Sequence, residues 1–194
     1  MSRIVSVFGG SSPHPGSPAY EEAQTLGRLL AEAGYTVATG GYMGTMEAVS
    51  RGAAEAGGHV IGVTCEAIER WRKAGKNTWV KEEIKYTSLR ERLHHLVEHC
   101  EAAIALPGGI GTLSEVVLTW SLMQTREIPV RPLVVVGRVW QDTFQAFLRG
   151  SAGYVHETDH TLLTLADDVE SAVRHVVGAH SRDAAFSPIG PSTR

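Results

Sequence analysis

The sequence has few cysteines and no long apolar stretch, and these shortages exclude several classes of protein. Its two cysteines, Cys65 and Cys100, form neither a disulfide framework nor a close metal-binding pair. No segment approaches the ~18 apolar residues of a transmembrane helix, and the apolar run at residues 4–8 is too short for a secretory signal. We therefore expect a cytoplasmic protein with no membrane partner, since two unpaired cysteines fit a reducing compartment.

Basic charge and aromatic residues are also scarce. The 18 lysines and arginines against 21 acidic residues give a net charge of -3, so a long nucleic acid is not an expected partner. Aromatic residues make up 7% of the chain. The tryptophans are too scattered along the sequence for a base-stacking platform: Trp71, Trp79, Trp120 and Trp140. We expect each of them to anchor the core or a loop.

What remains describes an ordinary globular domain. Hydrophobic residues make up 43% of the chain and charged residues 20%, and 194 residues are enough to bury one core. We expect a single domain over residues 1–178. Residues 179–194 mix serine, proline, glycine and charge without a pattern, which predicts a mobile tail.

Strand and helix patterns alternate along the chain. Runs of β-branched and apolar residues predict strands at residues 3–9, 35–38, 59–64, 102–106, 133–136 and 161–165. Apolar residues at helical spacing predict helices at residues 17–33, 43–56, 88–99, 112–124, 140–148 and 167–177. Residues 66–86 contain all four lysines, lack a clear period and are predicted to be a loop or irregular helix over the site. This alternation predicts an α/β fold with a mostly parallel sheet and helices on both faces.

Three glycine-rich segments follow predicted strands, where parallel sheets bind their ligands. They are Gly9-Gly10-Ser11-Ser12, Gly40-Gly41-Tyr42-Met43-Gly44 and Pro107-Gly108-Gly109-Ile110-Gly111-Thr112. Such a loop lets backbone N–H groups approach a phosphate, but it also serves as a tight turn that needs glycine for geometry alone. Three of them at one sheet edge predict a pocket for a phosphorylated ligand, with these candidate contacts: Gly10, Ser11, Ser12, Gly40, Gly41, Gly44, Gly108, Gly109, Gly111 and Thr112.

Charged residues near the third loop are candidates for chemistry. Glu115 lies three residues after Thr112, which is the spacing of a capping box. A carboxylate one turn into this helix is also placed to face the sugar of a bound nucleotide, and both interpretations stay open. Arg90 and Arg92 are two residues apart on a predicted helix, so at most one of them points into a shared site.

Histidines near these arginines have a spacing that is also found in metal sites. Glu91, His95 and His99 recur at four-residue spacing, as metal ligands on one helical face do. No fourth ligand is evident and the segment is polar throughout. We expect neither a metal nor a cofactor.

Together the motifs resemble the lonely-guy (LOG) family of phosphoribohydrolases, which is also labelled lysine decarboxylase. The resemblance covers residues 5–136 and is carried by the first two glycine loops, by Tyr20-x-x-Ala23-x-x-Leu26-Gly27, and by the full signature Pro-Gly-Gly-x-Gly-Thr-x-x-Glu at residues 107–115. It implies a three-layer Rossmann-like fold and a homodimer. It also implies hydrolysis of the N-glycosidic bond of a nucleoside 5'-monophosphate, of the AMP or cytokinin riboside monophosphate type, to free base and ribose 5-phosphate.

The resemblance also assigns roles to residues. The family's Glu-Arg pair falls on Glu91 and Arg92, so the implied catalytic pair is Arg92 with Glu115. Arg90, Leu93, Tyr42 and Ile110 stand where the family commonly has other residues. Glu47 stands where family enzymes commonly have glycine, and in this it resembles relatives of unknown activity and molybdenum-cofactor carriers.

Two other functions compete with hydrolysis. The departures from the family pattern keep a non-catalytic nucleotide or molybdenum-cofactor binding protein as the alternative. Amino-acid decarboxylation is disfavoured because a pyridoxal enzyme needs a lysine, and every lysine lies away from the glycine loops.

Overall fold

The computed structural model describes residues 3–73 and 75–186 and arranges them around a seven-stranded sheet. Its strands are β1 (Ile4–Phe8), β2 (Thr36–Thr39), β3 (Val60–Cys65), β4 (Glu82–Tyr86), β5 (Ala102–Ala105), β6 (Leu133–Val136) and β7 (Thr164–Ala166). They lie in the order β4-β3-β2-β1-β5-β6-β7, and every neighbouring pair is parallel. The helices are α1 (Pro18–Glu32), α2 (Thr45–Glu55), α3 (Glu66–Arg72), α4 (Leu89–Glu98), α5 (Ile110–Gln124), α6 (Arg138–Gly150), α7 (Glu157–His160) and α8 (Val169–Phe186).

Helices cover both faces of the sheet, which confirms the predicted α/β class and its three layers. Alternate strand side chains point to opposite faces, so Val37 packs against α1 and α2 whereas Ala38 packs on the side of α4 and α5. The first core also includes α8, and the second includes α6. Both faces of the sheet are therefore buried, as expected for parallel strands.

The first helix shows how local sequence sets the element boundaries. Ser17 caps α1 by accepting a hydrogen bond from the backbone N–H of Tyr20, and Pro18 occupies the first turn. Past the end of the helix Gly34 adopts a φ of 83°, a conformation that glycine adopts at little cost. The predicted helix at residues 17–33 is therefore confirmed.

The centre of the sheet positions the binding edge. β1 lies between β2 and β5, and the chain builds outward from it in one direction to β4 and then in the other to β7. The strand order thus reverses between β1 and β5, and this is where open parallel sheets form a crevice for a ligand at the carboxyl ends of their strands. The N–H of Gly10 donates to the carbonyl of Pro107 at 3.2 Å and ties these two loops together.

Residues 66–86 differ from the sequence-based prediction. They form helix α3 and then β4, which pairs in register with β3 at the edge of the sheet. The prediction of a loop or irregular helix is wrong for residues 82–86. Glu82, Glu83 and Lys85 are exposed there, so this edge strand lacks the apolar run that marked the buried strands.

The last helix is longer than expected. α8 continues to Phe186 and so includes residues 179–186, which the sequence assigned to a mobile tail. His180 explains the extension, because its buried ring lies 2.9 Å from the hydroxyl of Tyr35 and donates from Nε2 to the carbonyl of Glu101. The remainder of the expected tail, residues 187–194, lies outside the described residues. Among the residues that are described, no helix is long and apolar enough to cross a membrane.

Candidate functional site

A cavity of about 590 Å³ opens at the crevice between the loops after β1 and β5. Its volume falls within the roughly 300–1,000 Å³ of typical small-molecule sites. Most of the predicted site residues line it: Gly10, Ser11, Ser12, Gly40, Arg92, Gly109, Gly111, Thr112 and Glu115. The structure therefore brings the three glycine loops and both charged candidates to one cavity.

Three predicted contact residues, Gly41, Gly44 and Gly108, are not among the residues that line the cavity. Gly41 and Gly44 adopt φ values of 76° and 75°, so both need glycine for their backbone conformation. A Cβ at Gly108 would lie 2.2 Å from Oγ1 of Thr112. These glycines allow close packing of the loops, which is the turn role that the sequence left open.

The N-terminus of α5 lines the cavity. The helix begins at Ile110 with Gly109 as N-cap, and no side chain caps its first turn. Its first backbone N–H groups are thus available to an anion, and the helix dipole favours negative charge at this position. Ser11 and Ser12 line the same cavity from the loop after β1. This part of the site is suited to phosphate.

The capping-box interpretation of Glu115 is wrong. Because α5 starts at Ile110, Thr112 lies inside the first turn and Glu115 lies in the second. The carboxylate of Glu115 has no role at the helix end; it is buried and lines the cavity. The two glycines before Ile110 move the helix start two residues earlier than the predicted helix boundary.

A capping box is present instead on α4, where it positions Arg92. The hydroxyl of Ser88 accepts from the N–H of Glu91, and the carboxylate of Glu91 accepts from the N–H of Ser88. Glu91 is therefore occupied at the start of the helix, and Arg92 projects inward from the next position with a side chain only 7% exposed. Arg90, in contrast, is exposed and does not line the cavity.

The guanidinium of Arg92 is surrounded by residues of β3 and of the loop after β2. Its Nε donates to the carbonyl of Val63 at 2.8 Å, and its Cζ lies 5.8 Å from the centre of the Tyr42 ring, a cation–π distance. A Cβ at Gly40 would lie 1.9 Å from Nη2 of Arg92. Gly40 therefore makes room for the guanidinium.

Arg92 and Glu115 form a buried pair in the wall of the cavity. Nη1 of Arg92 lies 3.7 Å from Oε1 of Glu115, too far for a hydrogen bond but close enough for strong attraction in this environment. Burial raises the pKa of Glu115 to about 7, although the positive charge of Arg92 opposes the rise. The carboxyl group thus exchanges protons near neutral pH, and its oxygens are not committed to a hydrogen bond with Arg92.

Sequence reasoning missed how Tyr42 and Asn77 support this pair. Tyr42 stands where the family commonly has glycine; its hydroxyl accepts from the N–H of Cys65 at 2.8 Å and donates to the carbonyl of Cys65 at 3.0 Å. Asn77 donates to the carbonyls of Gly41 and Tyr42 at 3.1 and 2.9 Å. The second glycine motif contains Tyr42 but did not indicate this role, and no motif marked Asn77, because the partners of both residues are distant in the sequence.

The other predictions have separate outcomes. His95 and His99 stack with ring centres 4.3 Å apart, and His95 bonds to the hydroxyl of Tyr86 at 2.8 Å. Burial lowers the pKa of His95, which favours a neutral ring. The carboxylate of Glu91 is engaged with Ser88, so the proposed ligand trio does not assemble. Trp71, expected to be an anchor, is 76% exposed and lines the cavity.

Comparison with known proteins identifies relatives of the chain. The family described as "Possible lysine decarboxylase" matches residues 46–176. The chain is 36% identical over 149 residues to the probable cytokinin riboside 5'-monophosphate phosphoribohydrolase LOGL5 of Oryza sativa subsp. japonica, a match that covers 75% of this chain and 59% of the rice protein. It is 30% identical to the cytokinin riboside 5'-monophosphate phosphoribohydrolase of Mycobacterium tuberculosis, over 88% of this chain and 91% of that protein.

A solved structure shares the fold. The molybdenum cofactor binding protein from Rippkaea orientalis superposes with a TM-score of 0.70 and 22% identity, covering 96% of this chain and 99% of that one. Identity at that level establishes the architecture alone. The family match and the curated relatives, together with the full glycine signature in the cavity wall, show that the chain belongs to the LOG family, whose family model is described as "Possible lysine decarboxylase".

Proposed function

We propose that this protein hydrolyses the N-glycosidic bond of a nucleoside 5'-monophosphate, of the AMP or cytokinin riboside monophosphate type. Water supplies a hydroxyl to C1' and a hydrogen to the base, and the products are free base and ribose 5-phosphate. The observation that carries the proposal is the buried pair of Arg92 and Glu115 in the wall of a glycine-lined cavity. The names of the rice and mycobacterial relatives support this substrate class.

The phosphate of the substrate binds at the N-terminal end of α5. Backbone N–H groups of the glycine loop and the hydroxyls of neighbouring residues contact its oxygens, and the uncapped helix end adds its partial positive charge. The groups proposed for this contact are Gly10, Ser11, Ser12, Gly109, Gly111 and Thr112. Gly40, Gly41, Gly44 and Gly108 act indirectly, through the shape of the loops.

Glu115 acts on the ribose. Breaking the glycosidic bond builds positive charge at C1' and the ring oxygen, and a nearby carboxylate stabilises that charge in a site of low polarity. A carboxyl group with a pKa of about 7 is also suited to accept a proton from the attacking water. Glu115 is therefore the proposed catalytic base and charge stabiliser.

Arg92 is the second member of the proposed catalytic pair. Its bond to the carbonyl of Val63 fixes the guanidinium beside Glu115, where it favours the ionised carboxylate. The remaining guanidinium N–H groups are available to bind the substrate. Lysine cannot reproduce this planar set of donors.

The test is product release from AMP by the purified chain. We expect free adenine and ribose 5-phosphate by liquid chromatography, and we expect Glu115→Gln to lower kcat about a hundredfold or more. Glu127→Gln, which changes an exposed carboxylate away from the cavity, serves as the matched control. Measurable binding of AMP without release of adenine would replace hydrolysis by a carrier or sensor role.

Decarboxylation has no support at this site. A pyridoxal enzyme needs a lysine to form the Schiff base. Among the described residues that line the cavity there is no lysine; all four lysines lie on residues 73–85. We expect no amine product from L-lysine in the presence of pyridoxal phosphate.

Assembly and location form a further part of the proposal. α5 exposes Ile110 and Val117, and an apolar groove of about 350 Å³ lies between α5 and α6. Such a surface fits a contact between two copies of the chain, as the family resemblance implies. Sedimentation velocity is expected to give a homodimer that Val117→Glu dissociates, and a wild-type monomer would contradict this. The two free, buried cysteines support a cytoplasmic location.

A further inference from the structure

The wall of the cavity formed by α3 carries an exposed aromatic ring. Trp71 is 76% exposed, whereas Phe8 and Tyr42, which also line the cavity, are almost wholly buried. Ala67 and Ile68 belong to the same wall. A large indole left open to water at a cavity has apolar area that a ligand can cover.

We propose that α3 is the base-recognition element of the site and that Trp71 stacks on the nucleobase of the bound nucleotide. The inference rests on the proposed function for the class of substrate. α5 supplies the phosphate end and Arg92 with Glu115 supplies the ribose centre, so the aromatic base is left for the apolar wall. Stacking on an indole is tolerant of base identity, since every base has a π-face.

Arg72 prepares the ring for this role. Its Cζ lies 4.9 Å from the centre of the Trp71 ring, within cation–π distance. A guanidinium there covers one face of the indole and leaves the other for a base. Because the ring is already held by this contact, less rotamer freedom is lost when the base binds.

The helix is anchored by polar contacts and not by a core. None of the residues of α3 is buried, and Glu69 pairs with Lys85 of β4 at 2.5 Å. The backbone of Cys65, which precedes the helix, is bound by the hydroxyl of Tyr42. Trp71 therefore adds little to folding, and its replacement tests ligand contact without removing core packing.

The test compares a ligand that has a base with one that lacks it. The KM for AMP and the inhibition constant of ribose 5-phosphate are measured for the wild type, Trp71→Leu and Trp71→Phe. Trp71→Leu is expected to raise the KM for AMP about five- to 150-fold and to leave the inhibition constant within about twofold, because stacking is lost and phosphate binding is kept. Trp71→Phe keeps a ring and is expected to stay within about fivefold of the wild type.

Trp79→Leu is the matched control. Trp79 follows α3 by seven positions in the sequence, does not line the cavity and has Arg51 over its ring at 5.6 Å. Its replacement is expected to leave both constants unchanged.

The remaining outcomes overturn the inference. An unchanged KM in Trp71→Leu, or a parallel loss of AMP and ribose 5-phosphate binding, removes the base-stacking role. A change in sedimentation without a change in KM would assign the ring to a subunit contact. If the wild type does not hydrolyse AMP, the proposed function fails by itself, and calorimetric binding of AMP and ribose 5-phosphate to the same variants still decides the role of Trp71.

Discussion

Replacing Glu115 with glutamine is expected to remove a large contribution to the pH dependence of folding. Burial raises the pKa of this carboxyl from 4.5 to about 7. The folded protein therefore holds a proton on Glu115 over a range in which the unfolded chain has lost it. The protonated Glu115 therefore contributes to the free energy of unfolding. This contribution is complete below the pKa that Glu115 has in the unfolded chain, and it is lost as the pH rises through the pKa that Glu115 has in the folded protein. At about 1.4 kcal/mol for each pH unit, the full loss corresponds to about 3 kcal/mol.

Glutamine has the shape of the neutral carboxyl group and does not ionise. The wild type is thus expected to lose about 3 kcal/mol relative to Glu115→Gln between roughly pH 4 and pH 8. Urea unfolding followed by circular dichroism at a series of pH values measures this difference directly. Glu127→Gln, at an exposed position, is expected to run parallel to the wild type. Parallel curves for the wild type and Glu115→Gln would refute the argument that burial dominates the titration of Glu115.

Three further predictions concern the surroundings of the pair. Gly40→Ala places a Cβ 1.9 Å from Nη2 of Arg92 and is expected to displace the guanidinium. We expect kcat for AMP hydrolysis to fall and the free energy of unfolding to decrease by about 1–3 kcal/mol. Gly178→Ala, which has open space around it inside α8, is the control and is expected to raise the free energy of unfolding by about 0.5–1 kcal/mol in thermal unfolding. Arg92→Lys keeps the charge but loses the bond to Val63, so kcat for AMP hydrolysis is expected to fall at least tenfold, and full activity would contradict the positioning role. Asn77→Ala removes the donors to the carbonyls of Gly41 and Tyr42. We expect the free energy of unfolding in urea to decrease by about 1–3 kcal/mol and the KM for AMP to rise. An unchanged KM would show that the loop after β2 keeps its shape without Asn77.

The buried strands and the glycine loops were predictable because their signals are local. A run of β-branched residues ending in glycine identifies a parallel strand and its binding end, as at residues 4–10. Ser17 and Pro18 likewise predict the start of α1, since they suit the N-cap and the first helical position. The family resemblance then added Arg92, through the Glu-Arg pair, and Glu115, through the glycine signature; the spacing of residues had left both ambiguous.

The errors arose where structure depends on contacts that are distant in sequence. β4 is an exposed edge strand with Glu82 and Lys85 on its surface, so its pairing with β3 left no apolar pattern. Glu115 had a capping spacing from Thr112, but the helix starts at Ile110 because Gly109 takes the N-cap position. The extension of α8 is likewise fixed by the contact of His180 with Tyr35, 145 positions away in the sequence.

The segment between β3 and β4 serves two purposes that are separable in the chain. Asn77 braces the loop beside Arg92, while α3 lines the cavity with side chains that no core requires. Substitutions in α3 therefore do not disturb core packing. A substitution at Asn77, in contrast, removes hydrogen bonds that hold the loop after β2. Changes in α3 can therefore alter which ligand binds while Arg92 and Glu115 keep their positions. To redesign the selectivity of the site, α3 is the segment to replace.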